Sequence, residues 1–247
     1  MYIPFIGEFK LIISKLLARP PILIYQMGKV GSKSVEATLS HFVPNQVIHA
    51  HFPSMIGKYD WKHIQLRKLL RRPIIVITPI REPITRNLSA FFTNFEMVTG
   101  ARFISKSWNI EEVRNIFLQK YDNNKAIHWF DKHLKPLTGI DVFAEEFPKD
   151  IKWKTYKRGN IRVLVYRLDL EKEKQLEIIS DFVGYKITEW KIENVGENRT
   201  YGDFYKQFCN EINLPSEYLE FIQSQKLAKH FWTDEENQKV KQRWLAK

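Results

Sequence analysis

The sequence predicts an α/β protein in which helices flank a central parallel sheet and the C-terminal third of the chain is helical. Short apolar runs of strand length alternate with stretches of helical periodicity, which is typical of βαβ units. The run Pro73–Ile80 is almost entirely apolar, as expected of a parallel strand that is buried on both faces. Beyond residue 200 the periodicity is helical throughout.

The elements follow from local patterns, taken in chain order. Apolar runs predict strands over Ile22–Gln26, Val47–His51, Pro73–Ile80 and Arg162–Tyr166. Apolar residues at helical spacing predict helices over Ser32–Ser40, Trp61–Arg72, from Pro83 onward, Glu171–Val183, Tyr201–Ile212, Glu217–His230 and Asp234–Trp244. Proline is favoured early in a helix, which supports the start near Pro83. Thr233 and Glu236 form a capping box for the last helix.

The length of 247 residues, with no internal repeat and no linker, favours one domain over residues 1–247, and the composition favours an anionic partner. The chain is 44% hydrophobic and 27% charged, so a disordered or fibrous protein is excluded. Its net charge of +11 favours phosphate, sulfate, nucleic acid or an acidic membrane face as a ligand.

Cys209 is the only cysteine, so the chain cannot form an internal disulfide or a zinc site built from cysteine pairs. Cysteine usage therefore fits a reducing compartment, and we expect a cytoplasmic protein. The segment Phe9–Leu17 contains Lys10 and Lys15, so it does not resemble a secretory signal. We expect an amphipathic helix packed on the domain there, with peripheral membrane contact as the alternative.

A basic, glycine-containing turn between the first strand and the first helix predicts an anion site. Glycines allow backbone N–H groups to approach an anion closely, and the helix N-terminus adds its positive dipole end. Lysines supply charge and serines supply hydroxyl donors. The residues expected to form this phosphate cradle are Gly28, Lys29, Val30, Gly31, Ser32, Lys33 and Ser34. The alternative is a basic turn that ends in a serine cap.

The turn differs from the loop of nucleoside triphosphatases, in which lysine follows the last glycine and a magnesium-binding hydroxyl comes next. Here Lys29 precedes Gly31, and the strand Pro73–Ile80 runs into Arg81 rather than into an acidic metal ligand. We therefore expect no metal.

Two further segments follow predicted strands. Arg81 ends one strand, and Ser89 lies eight residues later on the next helix, so an anion held by both would lie beside that helix. His49 and His51 end the second strand and share a face because strand side chains alternate. A histidine at such a position is a candidate general base or a structural residue.

Taken together, these segments resemble sulfotransferases that use 3′-phosphoadenosine 5′-phosphosulfate (PAPS). Lys29-Val30-Gly31-Ser32 is similar to the family's loop for the 5′-phosphosulfate. Arg81-Glu82-Pro83 with Ser89 is similar to its 3′-phosphate motif, and His51-Phe52-Pro53 to the catalytic histidine segment of cytosolic members. These motif sequences most resemble those of bacterial sulfotransferase-like proteins linked to surface polysaccharides. The resemblance covers about the first 100 residues.

The resemblance implies a P-loop-like sulfotransferase fold and metal-free sulfuryl transfer from PAPS to a hydroxyl or amine of a carbohydrate or other acceptor. Lys29 and the loop would hold the 5′-phosphosulfate, and Arg81 and Ser89 the 3′-phosphate. His51 would be the base, with Glu36 as the fallback because carbohydrate-acting members use a glutamate.

The chain also departs from the family pattern. Lys33 and Ser34 stand where the family usually has a hydroxyl residue and often an adenine-stacking Trp. The third 3′-phosphate ligand has no clear match, with Arg199 and Arg158 as weak candidates.

Acceptor contacts are expected between Asn94 and Lys135, and the oligomeric state is left open. Aromatic residues in that segment either stack on a sugar or belong to the core: Trp108, Trp129 and Phe130.

Three other functions are alternatives to sulfuryl transfer from PAPS. A nucleoside or sugar kinase would need an acidic metal ligand. A non-catalytic anion-binding protein would need only the cradle. A nucleic-acid-binding protein should line one continuous face with basic residues, whereas here they are spread over helices such as Trp61–Arg72 and Gln238–Lys247, so we expect no nucleic-acid partner.

Overall fold

The computed structural model describes residues 13–105, 107–191 and 201–245 and confirms an α/β architecture. The strands are β1 (Ile22–Tyr25), β2 (Val47–Ala50), β3 (Ile74–Ile80), β4 (Trp153–Arg158) and β5 (Ile161–Arg167). Within these described residues they form one five-stranded sheet in the order β2-β1-β3-β5-β4. β1 pairs parallel with β2 and β3, and β3 pairs parallel with β5, so the sheet is mostly parallel as predicted.

Helices follow most strands and occupy the C-terminal region. They are α1 (Ser32–Phe42), α2 (Lys58–Leu69), α3 (Pro83–Thr93), α4 (Phe95–Thr99), α5 (Ile110–Lys120), α6 (Asn124–Ile127), α7 (Lys135–Thr138), α8 (Lys172–Val183), α9 (Gly202–Glu211), α10 (Ser216–Ser224), α11 (Lys226–Phe231) and α12 (Asp234–Leu245). Short 3₁₀ or π-helical turns span Pro53–Met55, Phe103–Ser105, Phe130–Leu134 and Val142–Ala144. The predicted helical C-terminal third is thus confirmed for residues 202–245.

The antiparallel strand β4 is absent from the sequence prediction. It lies at the sheet edge and buries only Tyr156, so it lacks the apolar run by which buried strands are recognised. Gly159 and Asn160 form the two-residue turn of a hairpin in which Arg158 pairs with Ile161. Gly159 has φ 57°, the left-handed conformation that such turns require, and a Gly-Asn pair is the sequence signal that predicts them.

The predicted helix Glu217–His230 is two helices, α10 and α11. The break falls at Gln225, whose backbone is extended (φ −70°, ψ 147°). The Ser224 hydroxyl and the Gln225 side-chain amide both donate to the carbonyl of Phe221, at 2.8 and 2.9 Å. These two side chains hydrogen-bond to a carbonyl in the last turn of α10. A glycine usually marks such a helix end in a sequence, whereas here polar side chains end the helix.

The chain separates into two compact units. The sheet unit comprises Met1–Ile80, Trp129–Glu145 and Trp153–Glu193, and the helical unit comprises Arg81–His128, Glu146–Lys152 and Asn194–Lys247. The expectation of a single domain over residues 1–247 stays a prediction.

The core of the sheet unit lies between the sheet and the helices α1 and α8. All residues of β1 and β3 are buried, which explains their continuous apolar sequence. Members of this core come from three parallel strands and both helices: Ile22, Ile24, Ile75, Ile77, Leu164, Tyr166, Val35, Leu39, Ile178, Ile179 and Phe182.

The core of the helical unit is aromatic. Phe92 contacts the rings of Phe95, Tyr205 and Phe208, with centroids 5.0–6.4 Å apart. Burying each such ring contributes about 1.5–3 kcal/mol relative to leaving it exposed. Cys209 is partly buried against this core.

Residues 13–17 are helical and pack on the sheet unit, so the described part of the predicted segment Phe9–Leu17 is confirmed. The guanidinium of Arg67 donates from Nη2 to the backbone carbonyls of Lys15, Leu16, Ala18 and Arg19, at 2.6–3.3 Å. The rest of that segment lies outside the described residues. In the part of the chain that the structure describes, no helix has both the length and the apolar character needed to cross a bilayer.

Candidate active site

The carboxyl ends of four parallel strands define the edge of the sheet at which a ligand is expected. β1 is flanked by β2 on one side and by β3 on the other, so the chain reverses its direction of winding at β1. Ligands in open α/β sheets bind in the crevice at such a reversal. The turn after β1 and the residues after β2 lie at this edge, which we call the carboxyl edge.

The turn between β1 and α1 has an unusual backbone. Gly28, Lys29 and Gly31 have φ of 82°, 63° and 72°, all in the left-handed region. A lysine in this region costs roughly 1–2 kcal/mol, so the surrounding structure must hold it there. Within the described residues, no side chain caps the first turn of α1 and that turn contains no acidic residue. The turn therefore brings a positive helix end and a lysine together, as the phosphate-cradle prediction requires.

Gly31 is held by close packing as well as by its conformation. A Cβ atom added at Gly31 would lie 3.0 Å from Cδ1 of Leu168. Leu168 is fixed in turn, because its N–H donates to the carbonyl of Ile80 at 2.7 Å. The turn after β5 thus supports the turn after β1.

A buried glutamine joins the two histidines of the second strand. Gln26 is fully buried at the end of β1, and its Nε2 lies 3.0 Å from His49 Nε2 and 2.7 Å from His51 Nδ1. Its Oε1 accepts a hydrogen bond from the N–H of Gly28. The same side chain therefore contacts the anion turn and both imidazoles.

The Gly28 bond assigns the orientation of the Gln26 amide, because a backbone N–H must face an oxygen. The amide NH₂ then faces the histidines and can only donate. His49 Nε2 consequently accepts, and neutral His49 carries its proton on Nδ1. That nitrogen lies 3.6 Å from Oε2 of Glu36 on α1.

Ser32 and Lys33 have partners within the protein. The Ser32 hydroxyl lies 2.8 Å from His49 Nε2, and since that nitrogen is an acceptor, Ser32 donates to it. Lys33 Nζ lies 2.8 Å from Oε2 of Glu36, one turn along the helix. The hydroxyl proton and the charge that the sequence prediction assigned to a ligand are thus engaged with His49 and Glu36.

Burial keeps His49 neutral. The pKa of His49 is lowered from 6.5 to about 4, chiefly by burial; Glu36 raises the pKa, and the charges of His51 and Lys33 lower it. At neutral pH His49 is therefore an uncharged acceptor rather than a cation.

His51 lies one residue beyond β2 and is half-buried. Its carbonyl accepts a hydrogen bond of 2.7 Å from Nε1 of Trp129, which packs on Tyr25 with centroids 5.2 Å apart. Its Nδ1 lies 3.1 Å from the backbone carbonyl of Gln26. The Gln26 NH₂ also faces this Nδ1, so Nδ1 accepts and neutral His51 carries its proton on Nε2 in this arrangement. Nε2 becomes a base when that proton moves to Nδ1, where the Gln26 carbonyl can accept it.

Arg81 and Ser89 lie in the helical unit, whereas the anion turn and the histidines lie in the sheet unit. Arg81 is half-buried and hydrogen-bonds the hydroxyl of Tyr205, whose pKa burial raises to about 12. Glu82 caps α3 by accepting from the N–H groups of Ile84 and Thr85, at 2.7 and 2.9 Å. A joint site of Arg81, Ser89 and the anion turn stays a prediction.

The structure shows where several of the weaker site candidates lie. Arg158 pairs with Ile161 at the start of β5, so it lies about 20 Å from the carboxyl edge and cannot join the anion turn. Arg199 lies outside the described residues.

Trp129 and Phe130 are 3% and 2% exposed, so the core role is confirmed for both. Trp108 is partly buried and donates to the carbonyl of Phe103 at 2.8 Å.

Several buried polar groups are absent from the sequence prediction, and two of them have clear local signals. Gln26 is one, and its signal is a polar residue at the end of an otherwise apolar strand. The other is the pair Arg86 and Asn87 on α3, 6% and 1% exposed. Arg86 donates to Tyr121 Oη at 2.9 Å, and Asn87 donates to Asn123 Oδ1 at 2.8 Å. Two consecutive polar residues inside an apolar helix are the signal here.

Among residues 13–105, 107–191 and 201–245, no group of three or more His, Cys, Asp or Glu side chains could hold a metal ion. No family model, no curated protein and no solved structure matches this chain.

Proposed function

We propose that this chain is a sulfotransferase with a P-loop-like fold that moves a sulfuryl group from PAPS to a hydroxyl or amine of a carbohydrate or similar acceptor in the cytoplasm. The observation that carries the proposal is the left-handed turn Gly28–Gly31, which leads into the uncapped N-terminus of α1 beside the buried His49 and His51. The motifs that resemble the sulfotransferase family fall on this turn and on the residues after β2 and β3.

The residues of the turn fit a phosphosulfate group. The α1 N-terminus and the Lys29 ammonium favour an anion, and the glycines permit a close approach of the backbone. When bound, the donor would supply the sulfuryl group and leave as adenosine 3′,5′-bisphosphate. Lys29 and the α1 N-terminus would stabilise negative charge on the leaving oxygen, the kind of preorganised electrostatic effect that dominates many enzymatic rate enhancements.

His51 is the best placed of the three candidate bases. Glu36 is engaged by Lys33, and Nε2 of His49 receives hydrogen bonds from Gln26 and Ser32. In the tautomer that carries its proton on Nδ1, His51 would take the acceptor's proton on Nε2 as the acceptor oxygen or nitrogen bonds to sulfur and the bond from sulfur to the leaving oxygen breaks. The resulting imidazolium would donate from Nδ1 to the Gln26 carbonyl 3.1 Å away.

Arg81 and Ser89 would hold the 3′-phosphate, a guanidinium being able to form two parallel hydrogen bonds with phosphate oxygens. This assignment predicts that Arg81→Ala weakens binding of adenosine 3′,5′-bisphosphate by about 2–4 kcal/mol. Calorimetric titration measures this affinity directly, and affinity for 5′-AMP should barely change.

Arg243→Ala is the matched control, because Arg243 is an exposed arginine of the same unit. Equal losses of affinity for 5′-AMP and for the bisphosphate in Arg81→Ala would contradict the assignment of Arg81.

A further inference from the structure

The edge of the sheet opposite the candidate active site carries exposed leucines and basic side chains that the proposed reaction does not use. Three segments meet there: residues 13–21 before β1, residues 66–73 before β3 and residues 157–160 between β4 and β5. We call this surface the amino edge, because the parallel strands β1, β3 and β5 begin there.

Hydrogen bonds tie the three segments together. Arg67 joins the second segment to the first through the carbonyls of residues 15, 16, 18 and 19. The Asn160 side chain donates to the carbonyl of Arg72, and the N–H of Ile74 donates to the carbonyl of Asn160 at 3.1 Å. The amino edge is therefore one continuous surface of the sheet unit.

Three leucines at this edge are exposed. Leu17, Leu69 and Leu70 have 76%, 77% and 52% of their surface accessible. Single exposed apolar residues are ordinary, but several on one surface mark an interaction site.

The same edge is strongly basic. The three segments contain no Asp or Glu. Their cations, apart from the buried Arg67 and the paired Lys15, are Arg19, Lys68, Arg71, Arg72, Lys157 and Arg158. Lys15 is paired with Asp60, and Lys68 and Arg158 donate to the backbone carbonyls of Leu137 and Gly139. The acidic residue that follows this segment, Asp141, is paired with Lys135. No described carboxylate forms an ion pair with Arg71, Arg72 or Lys157, so positive charge dominates this surface.

We propose that the amino edge docks the protein on an anionic phospholipid surface. Leucines bury apolar surface at the boundary between headgroups and acyl chains, while flanking arginines and lysines contact phosphate and carboxylate groups. A soluble polyanion such as RNA would use the basic side chains but would leave the leucines in water. Docking through this edge leaves the carboxyl edge, at the other end of the strands, accessible to donor and acceptor.

Vesicle sedimentation of the full chain tests the proposal. We expect binding to vesicles of phosphatidylcholine mixed with phosphatidylserine, weaker binding at high salt, and little binding to phosphatidylcholine alone. Arg71→Gln with Arg72→Gln should weaken binding about 30-fold, since each cation near an anionic surface contributes roughly fivefold. Leu69→Ser with Leu70→Ser should weaken it at least tenfold.

The matched control combines Met97→Ser with Lys239→Gln, which removes an exposed apolar residue and an exposed cation from the helical unit. This control should bind the mixed vesicles like the unchanged protein. Absence of binding to the mixed vesicles, or undiminished binding by the leucine variant, would overturn the proposal. Tight RNA binding that the arginine variant loses and the leucine variant keeps would assign the edge to a polyanion instead.

Discussion

The buried imidazole of His49 should make the protein less stable in acid, and His49→Gln should remove the part of that loss that His49 causes. His49 is held by Gln26 and Ser32, at 3.0 and 2.8 Å, and its side chain is 8% exposed. Glutamine can keep hydrogen bonds to both neighbours but cannot titrate. The substitution therefore isolates the proton equilibrium from the packing.

The magnitude follows from the lowered pKa. His49 has a pKa of about 4 in the folded protein and about 6.5 in the unfolded chain. Above the unfolded pKa both states are neutral and the residue has no effect on pH dependence. As the pH falls below 6.5, the unfolded chain binds a proton that the folded protein does not bind, so the free energy of unfolding decreases. Between about pH 7.5 and pH 5 this loss is about 2 kcal/mol.

Urea denaturation of both proteins at the two pH values measures this contribution. Burial also lowers the pKa of His63 and of His133, so both proteins lose some stability in acid. The variant should lose about 2 kcal/mol less than the unchanged protein. His41→Gln, at an exposed histidine of α1, should leave the loss unchanged. Equal acid losses in His49→Gln and the unchanged protein would refute the reasoning.

Three further predictions concern the same site. Gly31→Ala should lower the free energy of unfolding by more than Gly100→Ala in urea denaturation, because both have left-handed backbones, with φ of 72° and 75°, but only Gly31 has a neighbour where Cβ would lie. Gln26→Leu should cost about 2–4 kcal/mol in the same assay, since it removes the side-chain acceptor of the Gly28 N–H and a donor from both histidines. His51→Ala should slow turnover about 10²–10⁴-fold while leaving bisphosphate affinity unchanged in calorimetry, and an unchanged rate would exclude His51 as the base.

Most strands of the sheet unit could be predicted because each one is a short apolar run in the sequence. The apolar runs predicted β1, β2, β3 and β5. Each predicted bound differs from the observed bound by no more than one residue. The pairing of His49 with His51 also follows from strand periodicity, and the rings lie 5.3 Å apart.

The remaining features depend on contacts that no local pattern encodes. The role of Gln26 requires the end of β1 to lie beside the end of β2, and the engagement of Ser32 by His49 requires α1 to begin there too. The edge strand β4 is stabilised by pairing with β5 rather than by burial of its own side chains. Tertiary structure decides the first two, whereas the one local signal of β4 is the Gly159-Asn160 turn that joins it to β5.

Thermal unfolding with added nucleotides tests whether the protein binds a nucleotide with a 3′-phosphate. A ligand present at about 100 times its Kd stabilises the folded state by about 2.7 kcal/mol, which gives a readable shift in Tm. We expect a shift in Tm with adenosine 3′,5′-bisphosphate that clearly exceeds those with 5′-AMP and with ATP plus magnesium. A shift only with ATP and magnesium would indicate a kinase, and no shift with any of the three would contradict a nucleotide site at the carboxyl edge.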